Sequence, residues 1–302
     1  MSSDLLTNTS AMTALLQLNQ TQQNMNTYEN QVSTGLAISQ ASDNAAYWSI
    51  ATTMNTQVGA LNAVSSSLSE SSSMLQTMTA ALNSTVSIMD NLQTDLVTAQ
   101  GLAAEGSTTD LANVQSDIAQ QQQLLQSIGQ SSVVNGVNFL DTSGGTVQLI
   151  ASYDTTTGAS YISIDTSNIA LFNSAATTGT PTGGILGTDG ANYTAASILT
   201  LDVTNATSGD IANMLKDVQA AITSITTAAS TIGANQNNVT AQQNFISNLT
   251  DSLTSAVGSL VDADMNEAST KISALQVQQQ LGVQALAIAN SNTQLILKLF
   301  GD

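Results

Sequence analysis

Enzymes and metal sites are built from histidine, cysteine, cations and closely spaced carboxylates, and this chain lacks most of that stock. It has no histidine, cysteine or arginine, and its three cations are Lys216, Lys271 and Lys298. Nucleophile–base pairs, thiolate chemistry and the common zinc sites therefore have no raw material. Carboxylates remain, and they crowd at Asp262-Ala-Asp264 with Glu267. Helical spacing would make Asp264 and Glu267 neighbours. No turn glycine or further ligand follows, as a calcium loop requires, so the cluster reads as a polar hinge. Asp43 and Asn44 stand just before an apolar run that starts near Ala45. They read as linker and helix-cap residues, Asp43 as the cap rather than a general base. Trp48, the only tryptophan, reads as a packing anchor. No catalytic, cofactor or metal site is expected.

The charge balance narrows the partners. Twenty-one acidic residues against three lysines leave a net charge of −18, produced by missing cations rather than by surplus acids. Nucleic-acid binding needs Lys and Arg to neutralise phosphate, and anionic lipid makes the same demand. Neither is expected. The N-terminus lacks a basic region followed by an apolar one, so no cleaved signal peptide is read there. The nearest approach to a membrane span, Val283 to Phe300, is interrupted by Asn290-Ser-Asn-Thr-Gln294, and no membrane insertion is expected.

What the chain does have is repeat. Tyr47, Met54, Leu61, Leu68, Leu75, Leu82, Met89 and Leu96 stand seven apart without a miss. So do Ile211, Val218, Ile225, Ile232, Val239, Ile246, Leu253 and Leu260. At 42% hydrophobic residues, each run is roughly a one-in-a-thousand event per starting phase. A strict seven-residue repeat drifts against a straight helix, so such helices wrap around partners. A single proline, Pro181, and few aromatics suit long helices with thin aliphatic seams.

The repeat organises the chain. Ala11, Leu18, Met25 and Val32 share the spacing, with Leu15 between them and Thr7-Asn-Thr-Ser10 as capping residues. The pattern lapses from Ser33 to Asn44 and resumes at Tyr47 one residue out of phase, marking a linker around Gly35. A long helix is predicted from about Ala45 to Ala104, and a shorter one from Asp110 to Ile128 with Gly129 as its stop. From about Ser131 to Ser208 glycine and threonine rise, and alternation at Thr146–Ile150, Tyr161–Ile164 and Leu199–Val203 predicts strands and hairpins. Ala176 to Gly184 reads as an exposed loop. The last third reads as one very long helix whose Ile211 phase runs on through Ala274, Leu281, Ile288 and Leu295, broken only at Glu267, with Leu260-Val-Asp-Ala-Asp264 as the place where a hinge could interrupt it. Its second seam position is filled in part by Leu215, Ile222, Ala229, Val257, Ala285 and Leu299.

These blocks resemble bacterial flagellin across nearly the whole chain. Thr7-Asn-Thr-Ser-Ala-Met-Thr-Ala-Leu15 resembles the family's opening helix. Ser33-Thr-Gly-Leu-Ala-Ile38 with Ala41-Ser-Asp-Asn-Ala-Ala46 resembles its linker, and Tyr47-Trp-Ser-Ile-Ala51 is similar to the alphaproteobacterial type. Ile232-Gly-Ala-Asn-Gln-Asn237, Val261-Asp-Ala-Asp264 and Gln278 to Asn290 resemble the tail blocks. Arginines common in the family are replaced at Gln31 or Val32, Ala37 and Asn238.

The resulting expectation is a mainly α fold: long coiled-coil helices from both termini folded back as a rod, with a small β-hairpin-rich centre. Residues 1–43 and 259–302 would form a terminal inner-core domain, 44–134 and 208–258 a helical-bundle rod domain, and 135–207 a variable outer region. The assembly seam is assigned to Leu15, Leu18, Met25, Val32, Leu281, Ile288, Leu295 and Leu299. The rod seam is assigned to Leu61, Leu68, Leu75, Leu82, Ile225, Ile232, Val239 and Ile246. The resemblance implies a non-enzymatic subunit of the extracellular swimming filament, polymerising with itself and exported without a cleaved signal. It also implies a filament cap, hook–filament junction proteins and an export chaperone as partners. The alternatives are a hook–filament junction protein of the same superfamily and a secreted helical translocator acting on host membranes.

Overall fold

The computed structural model describes residues 8–134, 136–138, 140–141, 145–154, 157–173 and 182–299, without the side chains of 137, 154 and 292–299. Six α-helices carry the described chain: α1 Thr9–Thr34, α2 Ala45–Glu105, α3 Thr108–Ser131, the one-turn α4 Gly184–Gly187, α5 Ser208–Val261 and α6 Met265–Leu299. Four strands, β1 Val133–Val134, β2 Val137–Asn138, β3 Thr146–Asp154 and β4 Gly158–Asp165, form two antiparallel hairpins. The chain divides into two compact units, Met1–Gly59 with Asp251–Asp302, and Ala60–Thr250.

In the Ala60–Thr250 unit, α2 buries Leu61, Val64, Leu68, Ser71, Leu75, Met78, Leu82, Thr85, Met89, Leu92, Leu96 and Ala99. The steps alternate three and four throughout, which keeps one stripe facing its partners. On α5 the same alternation runs through Ile211, Met214, Val218, Ala221, Ile225, Ala228 and Ile232, all buried. The second seam position there is thus three residues after the first, not four as Leu215, Ile222 and Ala229 would require. Two alanines at that position admit the facing helix closely. Amide hydrogen bonds tie the helices antiparallel: Gln93 donates to Gln219 at 3.2 Å, Gln243 to Ser69 at 3.4 Å, and Gln121 to Asp95 at 2.6 Å.

The centre of this unit is held against α3 by side-chain amides. Buried Gln122 donates to the carbonyls of Ile198 and Leu201 at 3.1 Å each, while Gln115 bonds both Leu201 and Val203. Leu199–Val203 is consequently no strand: its backbone is satisfied by α3, and Ile198–Thr200 coils into one 3-10 turn. The expected strands at Thr146–Ile150 and Tyr161–Ile164 do pair, as β3 and β4. Gly129 does not stop α3 but lies buried inside it. A Cβ at this position would overlap the ring of Phe172, which is itself wholly buried. Most of the loop 176–184 lies outside the described residues, and its last residue starts α4.

In the other unit α1 and α6 lie antiparallel. Asn8 donates to the Ala289 carbonyl at 3.0 Å, Gln279 to Gln22 at 2.7 Å, and Lys271 sits 5.1 Å over the Tyr28 ring. The C-terminal third is two helices, α5 and α6, broken at the Leu260–Asp264 segment that the sequence marked as a hinge. Asp262 closes α5 with a bond to the Gly258 carbonyl, and Asp264 Oδ1 accepts from Asn266 and Glu267 at 2.9 and 3.2 Å to cap α6. Of the hinge carboxylates, Asp264 is therefore the capping group, while Glu267 pairs with Lys271 at 2.7 Å.

The tight Gly129–Phe172 contact predicts that Gly129→Ala lowers the unfolding free energy by about 1–3 kcal/mol through overpacking. Gly233→Ala, in α5 with open space at its Cβ, should be neutral or stabilising by up to about 1 kcal/mol. Equal melting temperatures for the two variants would refute the packing role.

Candidate assembly surface

The linker is built to join α1, α2 and the α5–α6 corner within one unit. Gly35 ends α1 at φ 75°, a left-handed turn that costs glycine little, and its N–H reaches the Gln31 carbonyl. Beyond it, the N–H groups of Ala37 and Ile38 donate to the Val261 carbonyl, and Ala263 N–H donates to the Gly35 carbonyl. Leu36 and Ile38 pack with Met54 and Leu260 around buried Ala51, Val257 and Val261. The apolar Leu-x-Ile of the linker was legible in the sequence, but its docking onto the corner was not.

The capping roles differ from the expected ones. Asn44 is the cap of α2, its Oδ1 accepting from Ala46 and Tyr47 at 3.2 and 3.3 Å. Asp43 stands one residue too early to reach those N–H groups. It accepts instead from Ser39 N–H, Gln40 N–H and the Ser39 hydroxyl, closing the linker turn. The backbone bonds from Ser39 and Gln40 hold its carboxyl below the usual carboxylate range.

The assigned seams separate by burial. Leu61, Leu68, Leu75, Leu82, Ile225, Ile232, Val239 and Ile246 are all buried within their own unit. In the terminal helices, Met25 is buried, Leu18 and Val32 are half-buried, and Leu15, Leu281 and Ile288 are exposed at 51%, 58% and 62%. Leu295 and Leu299 lie outside the residues whose side chains are described. The reason is phase. The face of α6 that α1 covers runs through Ala268, Ile272, Leu275, Gln279, Gly282, Leu286 and Ala289. Because α6 restarts after a non-helical corner, the α5 count does not carry across it, and Leu281 and Ile288 point away from α1.

What remains open is a set of large apolar side chains on the terminal helices. Met12, Leu15 and Leu16 on α1 and Val277, Leu281, Val283 and Ile288 on α6 are all exposed. Tyr47, Trp48 and Ile50 are exposed at the start of α2, so Trp48 is no internal anchor. Contiguous exposed hydrophobics mark association surfaces. No group of three or more metal-ligating side chains occurs among the described residues. No described helix is long and apolar enough to cross a membrane.

Residues 5–144 match the bacterial flagellin N-terminal helical region, and residues 215–300 match the bacterial flagellin C-terminal helical region. The chain is 37% identical to a flagellin of Brucella melitensis over 98% of both chains. It is 33% identical to flagellin C of Rhizobium meliloti over 99% of both. The chain belongs to the bacterial flagellin family.

As a flagellin of alphaproteobacterial type, it is a structural subunit of the extracellular flagellar filament, self-polymerising and serving swimming motility. The family is structural rather than enzymatic. Nothing in these similarities favours a junction protein or a membrane translocator. Long terminal helices around a small antiparallel centre agree with that membership.

The reassigned cap carries a stability consequence. Asn44→Ala removes both acceptor contacts at the start of α2 and should cost about 0.5–2 kcal/mol, read by thermal melting of the unpolymerised chain. An unchanged melting curve would show that Asn44 is not the cap.

Proposed function

We propose that the terminal helices polymerise this flagellin through the faces that α1–α6 pairing leaves open, with Leu15, Leu281 and Ile288 as principal contacts. Leu18, Met25 and Val32 hold the pair together from inside, and Leu295 and Leu299, seven and eleven residues beyond Ile288 in the sequence, are assigned to the same assembly seam. The single observation that carries this reading is the solvent exposure of large aliphatics at Leu15, Leu281 and Ile288 beside an already filled inner seam. A two-helix hairpin needs one apolar stripe; a helix packed in a lattice buries more of its circumference. Each exposed aliphatic that becomes buried contributes on the order of 1.5–3 kcal/mol to association.

In this reading, residues 1–43 and 259–302 form the inner-core domain, 44–134 and 208–258 the rod domain, and 135–207 the outer region. The filament cap, the hook–filament junction proteins and an export chaperone that grips the C-terminal helix are the further partners. Export proceeds without a cleaved signal. The buried rod seam, Leu61 to Leu82 and Ile225 to Ile246, supports folding rather than subunit contact.

Ile288→Asp should leave the helical content and melting of the free chain nearly unchanged and raise the critical concentration for polymerisation at least about tenfold. Ile225→Asp should instead unfold the bundle. Filaments of normal length and yield from the Ile288 variant, seen by electron microscopy, would refute the assignment. On polymerisation Trp48 emission should also shift to the blue, as neighbouring copies cover the aromatic start of α2; unchanged emission would place that patch outside the contact.

A further inference from the structure

Leucine, isoleucine and valine offer a mild oxidant nothing to react with, whereas a thioether does. The chain has no cysteine, so its nine methionines carry all of its sulfur. The fold sorts them by exposure. Met25, Met74, Met78, Met89 and Met214 are buried, and Met54 is half-buried against the corner cluster of Ala51, Val257 and Val261. Met1 lies outside the described residues. Met12 and Met265 remain, exposed at 62% and 43%.

These two differ in place. Met265 is the first residue of α6, next to its cap Asp264, at the corner end of the helix pair. Met12 stands near the start of α1, one turn before Leu15 and Leu16, which are exposed as well. At about 100° per residue, nine residues place it on the opposite side of α1 from buried Thr21. Two hydrogen bonds across the pair set its level. Asn8 meets Ala289 and Gln22 meets Gln279, so Met12 lies at the same end as exposed Val283 and Ile288. Among the described residues, it is the one thioether in the open apolar stripe of α1; Met25, on the same helix, is buried.

The chemistry available there is oxygen transfer from a peroxide. A sulfur lone pair attacks one peroxide oxygen, the O–O bond breaks, and an S–O bond forms. The sulfur is oxidised by two electrons and the peroxide is reduced by two; its other oxygen takes up a proton and leaves as water or an alcohol. The product is a sulfoxide, polar and chiral where the thioether was flexible and apolar. Its oxygen loses water on docking against aliphatic side chains and gains no donor from them.

We propose that Met12 is an oxidation site that governs entry of a free subunit into the filament: a peroxide converts its thioether to the sulfoxide and weakens docking, while a subunit already polymerised shields the same sulfur. The proposal rests on the terminal-helix reading above and adds a modification that acts on it. Burial protects the core methionines, so oxidation changes the adhesive stripe without loosening the fold. Methionine sulfoxide reductases, one for each epimer, reverse the change.

The test treats the full chain with dilute hydrogen peroxide, once as free subunits and once as filaments. Peptide mass spectrometry then maps each methionine, and pelleting gives the critical concentration. In free subunits Met12 should gain oxygen at least about tenfold faster than Met25, Met78 and Met89, and polymerisation should slow it by a similar factor. Oxidised subunits should keep their helical content and show a critical concentration raised at least about fivefold, restored by the two reductases together. Met12→Leu should polymerise like the parent and ignore peroxide, whereas Met265→Leu should remain as sensitive as the parent. Any of four results would overturn the proposal: peroxide-sensitive polymerisation of Met12→Leu, normal polymerisation of a parent fully oxidised at Met12, loss of helix on oxidation, or equal oxidation of Met12 in filaments and free subunits. Normal polymerisation of Ile288→Asp would instead overturn the surface assignment beneath it.

Discussion

The structure depends on one constraint: aliphatic side chains placed alternately three and four residues apart must be covered along the entire length of a helix. From Leu61 to Ala99 on α2 and from Ile211 to Ile232 on α5, each such position is buried. Because 3.5 residues per turn underwinds the helix slightly, the stripe stays on one side and can meet partners continuously. No pocket is needed to absorb it. The polar residues between are mostly Ser, Thr, Asn and Gln, and their hydroxyls largely return to the carbonyl four residues back. Helical surface of this kind is solvated without being charged.

Where helices end, polar chemistry decides the position. Asn8, Asn44 and Asp264 each supply an oxygen to backbone N–H groups that have no helical acceptor, and Gly35 supplies the left-handed turn. Gly35 and Asn44 bound the linker between α1 and α2, and Asp264 starts α6 beyond the hydrogen-bonded corner. Within the other unit, Gln115, Gln122 and Asp217 do comparable work on the irregular segment 190–203, replacing strand pairing with side-chain bonds. Gly129 sets how near Phe172 can approach α3.

Two kinds of apolar surface therefore coexist in the chain. One is consumed within the fold, and the other, on α1, α6 and the start of α2, faces water in the single subunit. Their separation explains how one folded chain can carry the means of its own polymerisation. Charge is sparse in the same places: Thr9–Thr27 of α1 and Ile272–Leu297 of α6 contain no Asp, Glu, Lys or Arg.

Much of the fold could be read from residue order alone. Helix content, the approximate limits of α1, α2 and α3, the β3–β4 hairpin and the burial of Leu61 through Ile246 follow from periodicity, since spacing along a helix or strand is a local property. Membership of the family was visible in the linker and tail blocks. Phase across the Asp262–Asp264 corner was not legible, because a run of seven-residue steps looks the same whether the helix continues or restarts. That ambiguity decided which side of α6 meets α1 and so left Leu281 and Ile288 facing solvent. Nor could spacing distinguish Asp43 from Asn44 as the cap, Gly129 as contact from Gly129 as stop, or Leu199–Val203 as a strand from a segment bonded to glutamines. Each of those choices turns on a partner distant in sequence, and only the folded chain brings that partner within reach.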